Sequence, residues 1–243
     1  MEAHHHSNSS MKEKHFKHYL FDFLMLFLAV SAGFFVENIR EHYVEKKRAG
    51  ELGASLIKDM QKDTAQLSWL QHFGELKRAT LDSLYELLNQ PFNKIPSRTF
   101  YRLAKNIQIT FVFAPANGTI NQLKNAGYLR YFPNDSLPGF LSEYDFLYKD
   151  NEGSDNIVTN LIYNKYYDLL LKVSDSRLLH IVMANKEIPD STGIAPIASE
   201  DLKALKGIIT LIRRSYQAYD QEWGDMIKKA SQIMEYLHRS LHL

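Results

Sequence analysis

The chain has 243 residues with 29 Lys and Arg against 28 Asp and Glu, a formal charge of +1. A near-neutral balance leaves no basic footprint for nucleic acid. With no cysteine, disulfides, thiolate nucleophiles, Fe–S clusters and thiolate zinc sites are excluded together.

The opening residues, MEAHHHSNSS, are polar, and positions 1–17 read as a disordered, basic, His-rich tail. His4-His5-His6 is at most a weak metal handle, and a low-complexity tail explains it better. Residues 18–36 follow as a predicted membrane helix. Between Tyr19 and Val36 the only charge is Asp22. Eighteen residues at ~1.5 Å each reach roughly 27 Å, close to the ~30 Å hydrocarbon core. Lipid offers no partner to backbone N–H and C=O, so such a run must be helical.

Lys12, Lys14 and Lys17 precede the run and Arg40, Lys46, Lys47 and Arg48 follow it. That balance sets no orientation by positive charge; the short basic N-terminus ahead of a large remainder favours a cytoplasmic N-terminus and an extracytoplasmic C-terminal domain. Two other readings compete with the anchor. Val30-Ser31-Ala32 offers a signal-peptidase pattern ahead of Gly33, but apolarity continues through Phe34, Phe35 and Val36 with no polar region between. Alternatively, the run is a buried core helix. Asp22 reads either as a proton- or partner-sensing acid or, better, as a residue one turn inside the interface, where lysines and water would reach it. Ala29 and Gly33 form a small-xxx-small pair that lets two membrane helices approach.

Residues 37–243 are expected to form one helical extramembrane domain. From Glu37 to Gln90 there is no proline, and Leu52, Leu56, Met60, Leu67, Leu70, Phe73, Leu84 and Leu88 mark a helical stripe. Gly50, Gly53 and Gly74 predict a kink or break near residue 50 or 74. Pro91 and Pro96 end the segment, and Ser97 is the expected N-cap of a short helix. Ile107 to Phe113 (IQITFVF) is β-like but has no evident partner, and reads as a buried connector, extended or helical. Thr119 is the expected cap of a helix that Gly127 closes. Helices are then predicted over roughly 137–149, 153–174 and 175–186, with a loop over 187–198.

The strongest periodicity is the last. Leu202, Leu205, Ile209, Ile212, Tyr216, Tyr219, Trp223, Met226, Ala230, Ile233 and Leu237 alternate by three and four. This is a coiled-coil-like a/d repeat on a helix of about 200–242, roughly 64 Å long. Its bulky aromatics suit a bundle seam better than a two-stranded coiled coil. The natural partner is the 49–90 helix, running the opposite way. The predicted fold is therefore all-α: a membrane helix continuing into an elongated antiparallel bundle with long first and last helices.

Motifs with chemistry are sparse. No P-loop, dinucleotide fingerprint, nucleophile elbow, HExxH or EF-hand loop occurs, so no catalytic residue and no cofactor is assigned. Glu235, His238 and His242 share a helix face and carry metal-ligand types, though near a helix end. His180, within LLHIVM, reads as a core histidine. The two sequons, at Asn117 and Asn134, read better as turn and cap residues.

FDFLMLFLAVSAGFFVENIREHYVEKKR, with LIKDMQKDT after it, and TINQLKNAGYLRYFPNDSLPGFLSEYD further on, resemble a family of uncharacterised bacterial single-pass membrane proteins. Thr119, Leu123, Gly127, Leu129, Arg130 and Tyr144 carry the second likeness. The resemblance implies a membrane-anchored helical protein and supplies no catalytic residues. In that second segment Arg130, beside Tyr128, is a candidate carboxylate-binding group for a ligand or partner; an internal pair with Glu143 or Asp145 competes.

The sequence thus points to a non-catalytic interaction, scaffold or ligand-sensing module. Its partners would be the bilayer and either a second copy or another protein, with no nucleic acid. A metal-binding bundle or enzyme, and a secreted domain released after Ala32, are the alternatives.

Overall fold

The computed structural model describes residues 9–133, 136–188 and 193–241, with side chains from His18 onward. The chain divides into two compact units, residues 1–51 and 52–243. Helix α1, Ser9–Leu87, belongs to both. In the first unit it carries the apolar run.

In the second unit α1 meets α7, Ser199–Leu241, in antiparallel packing. The direction follows from paired contacts: Lys206 reaches Asn89, Arg213 reaches Asp82, and Arg78 donates to the Tyr216 carbonyl. Every a/d position of α7 from Leu205 to Leu237 is buried. On α1, Leu52, Leu56, Met60, Leu67, Leu70, Leu84 and Leu88 are buried in return. A 3.6-residue helix brings such positions to one stripe, and burying it is what makes the helices stable.

The expected break near residue 50 or 74 does not occur, since α1 runs through Gly50, Gly53 and Gly74 without interruption. Two of these glycines serve close approach. A Cβ on Gly53 would lie 2.9 Å from Leu241 Cδ1, and one on Gly74 would lie 3.2 Å from the Trp223 ring. Helix propensity lost at each glycine is about 1 kcal/mol, small beside the packing of an indole.

Between the long helices come α2 (Ser97–Ile107), α3 (Gly118–Asn125), α4 (Ser136–Asn160), α5 (Tyr167–Val173) and α6 (Ser176–Met183). α4 continues through a π-helical turn, Leu161–Tyr166, into α5, so the two helices expected over 137–149 and 153–174 are one interrupted rod. Gly127 has φ +67°, the left-handed conformation that ends α3. Thr119 is not the cap of that helix: its hydroxyl donates to the Asp59 carboxylate. Asp175 does cap α6, accepting from the N–H groups of Arg177 and Leu178. His180 is exposed, a correction to its reading as a core residue. No strand occurs among the described residues.

Candidate functional site

Two features stand apart from ordinary bundle packing. The first is the apolar run of α1. Its most apolar eighteen-residue window has a mean hydropathy of 2.1, and 0% of that window is buried. Thirteen large apolar side chains between Tyr19 and Val36 are exposed. At ~1.5–3 kcal/mol for each such side chain removed from water, covering them is worth a few tens of kcal/mol. The helix is long and apolar enough to cross a membrane. Ala29 and Gly33 lie within it, and a Cβ on Gly33 would meet nothing.

The second is the connector between α2 and α3. The sequence predicted a buried segment there. Instead residues 109–117 are neither helix nor strand, and Ile109, Phe111 and Val112 are exposed. Only Ile107, Gln108 and Phe113 of the IQITFVF run are buried.

This exposed segment is held by buried polar groups of α1. Lys77, 3% exposed, donates from Nζ to the carbonyls of Asn106 (2.6 Å), Ile107 (3.1 Å) and Ile109 (2.6 Å). The ammonium thereby satisfies the Ile107 carbonyl at the C-terminus of α2 and the Ile109 carbonyl beyond it, and adds a donor to the Asn106 carbonyl, which also takes the Ile109 N–H. Its charge also lies 5.2 Å from the Phe73 ring centre and 5.9 Å from that of Tyr216. Burial pushes the Lys77 pKa down to about 7. The carbonyls and ring faces act the other way, since an ammonium can serve three acceptors and a neutral amine only two.

Asp63 holds the far end. It is 2% exposed and accepts from the Ala116 N–H (2.9 Å) and the Tyr144 hydroxyl (2.8 Å). Burial raises its carboxyl above the usual range, while those two donors pull it back. Asp59, one turn earlier, receives the Thr119 hydroxyl.

The connector runs antiparallel to α1, from Ile109 beside Lys77 to Ala116 beside Asp63. In its middle Phe111 packs edge-on against Trp69 and Phe73, with ring centres 4.9 Å apart in both pairs. From the π turn and α5, Tyr167 donates to Gln108 Oε1 at 2.8 Å and Tyr163 stacks on Tyr167. Among the described residues, buried polar or charged positions are Asp63, Lys77, Ser97, Gln108 and Asn151. Three of these five serve the connector. Burying a charge is expensive unless it is paired, so the connector's position is strongly enforced.

A further polar cluster joins α4 to α7. Tyr219 donates to Asp155 (2.7 Å), while Asn151 and Ser154 donate to Glu222 (2.9 and 2.8 Å). Burial, then the neighbouring Glu222 and Glu152 charges, push Asp155 up to about 6 against the Tyr219 hydrogen bond. The sign follows from linkage. The folded state holds this proton more tightly than the unfolded chain, so stability rises as pH falls from about 7 toward 4. We expect Asp155→Asn to stabilise the protein at pH 7.5 by about 1–2 kcal/mol and to flatten the acid-side gain. Urea unfolding of both forms at pH 7.5 and 5.0 checks this; an unchanged difference between the two pH values would refute it.

The residues singled out by sequence lie elsewhere. Arg130 is exposed and stacks on its neighbour Tyr131, 4.9 Å from the ring centre, while Tyr128 is half-buried. The carboxylates proposed for Arg130 are engaged by others, Glu143 by Lys229 and Asp145 by Lys124. Glu235 pairs with Arg239, His238 Nδ1 faces the Met234 carbonyl, and His242 lies outside the described residues. Among the described residues, no three His, Cys, Asp or Glu side chains are grouped to hold a metal. A shallow groove of about 710 Å³ between α5 and α7 is floored by Leu169, Ala204, Ile208 and Leu211.

Sequence reasoning missed Lys77, Asp63 and Asp59. A signal was present: Asp63 falls between Met60 and Leu67, and Lys77 four residues after Phe73, so both are charges set into the apolar stripe of α1.

No family model matches the chain, and neither a curated protein nor a solved structure is similar to it.

Proposed function

We propose that this protein is a single-pass membrane-anchored interaction module that acts without catalysis. Residues 19–36 cross the bilayer, Lys12, Lys14 and Lys17 lie on the cytoplasmic side, and the helical unit lies outside the cytoplasm. The observation that carries the reading is the run of thirteen exposed apolar side chains on one uninterrupted helix, a surface that water disfavours and lipid matches. The clamped connector supports the interaction half of the reading. It presents aromatic and aliphatic side chains to solvent from a backbone held at both ends, and such a face binds with little loss of conformational entropy.

Membranes carrying the full-length protein test the anchor. The chain should stay in the pellet after alkaline carbonate extraction. Protease added outside intact spheroplasts should digest the helical unit. Recovery in the supernatant with an intact N-terminus would overturn the anchor, and a mature N-terminus at Gly33 would replace it with a cleaved signal.

A further inference from the structure

We infer that the clamped connector is a self-association face, on which a second copy of this chain docks; this rests on the reading of that connector as a docking surface. Trp69, Leu76, Ile109, Phe111 and Val112 are 44–56% exposed. They are contiguous, because Phe111 lies on Trp69 and Phe73, and Leu76 follows Phe73 by three residues on the same helix face. Trp and Phe anchors near the centre of a patch are the usual carriers of binding energy.

Three observations select a second copy as the occupant. Residues 107–116 contain no charged residue. A two-fold contact places each residue against its own surroundings in the partner, and a neutral segment suffers no like-charge repulsion there. The backbone N–H groups of Thr110, Phe111, Val112, Phe113 and Ala114 make no hydrogen bond among the described residues. A segment with open backbone donors of this kind can pair with its own copy laid alongside it.

The third is area. The five side chains offer roughly 450 Å² per copy, or about 900 Å² in a symmetric pair, the size of a weak, transient interface. Two anchored copies share one plane, so a weak interface suffices when tethering raises effective concentration.

The absence of cysteine makes the test clean. The full-length chain with Val112→Cys, reconstituted in proteoliposomes, is treated with a short bis-maleimide, and His180→Cys, at an exposed position of α6, is the comparison. Val112→Cys should crosslink to dimers at least about tenfold faster. Adding Trp69→Ala should lower that yield by about tenfold or more while the circular dichroism stays unchanged. Equal rates for the two cysteines, or a dimer that survives Trp69→Ala, overturn the self-association face. A photoreactive residue at position 112 separates the two claims. If the Val112→Cys chain stays monomeric and that residue captures a different protein in cell membranes, the second copy is refuted and the docking reading stands. If it captures nothing, both fall.

Discussion

Replacing Leu26 and Phe27 together by arginine should move the protein from the carbonate-resistant pellet to the extractable fraction. Both positions lie near the middle of the run from Tyr19 to Val36. An arginine at the centre of a membrane helix costs about 2.5–3.5 kcal/mol on insertion scales, so the pair removes about 5–7 kcal/mol of insertion free energy. Snorkelling cannot rescue both, because each side chain starts about 10–15 Å from either end of the run. The comparison is Phe146→Arg with Ile157→Arg. These side chains are also exposed, 69% and 61%, but lie on α4. That pair should leave fractionation untouched. Identical fractionation of the two double variants would sink the anchor.

Lys77→Met should destabilise the helical unit by about 2–4 kcal/mol and free the connector. Methionine fills much of the same volume, so a cavity is not the main effect. The loss comes from the Ile107 and Ile109 carbonyls, which no longer receive a donor, while the Asn106 carbonyl keeps the Ile109 N–H. Each unsatisfied buried acceptor costs about 1–3 kcal/mol. The offset is the desolvation of the ammonium, which has already lowered its pKa to about 7. Limited chymotrypsin digestion gives the local readout, with cleavage at Phe111 and Phe113 expected to accelerate before global unfolding. Thermal melting gives the global one. If the variant melts as the parent does and Phe111 and Phe113 are cut no faster, the clamp is not what holds the connector.

Legibility followed sequence distance. The stripe from Leu202 to Leu237 predicted the buried face of α7 at every position but Leu202, which is half-buried, because helical periodicity lies within a single segment. On α1 the stripe from Leu52 to Leu88 marked buried positions except at Phe73, which is half-buried, and left out the buried Ile57 and Leu81. The glycines misled, since a glycine that weakens an isolated helix and one that admits a neighbour look alike in sequence. At Gly74 only the position of Trp223, across the bundle, distinguishes them. The β-like residues after Ile107 were correctly read as lacking an evident strand partner. That Ile109, Phe111 and Val112 are left exposed depends on Lys77 and Asp63, which lie 32 and 53 residues from their bonded groups at Ile109 and Ala116.

By itself, then, the sequence determined the all-helical class, the long first and last helices, and one run apolar enough to cross a membrane. Each depends on residues within a few helical turns. Tertiary structure alone decided which charges would be buried, what they would hold, and which apolar side chains would stay outside. A charged side chain inside the bundle is tolerated only where its partners converge, and those partners come from helices far apart in the chain.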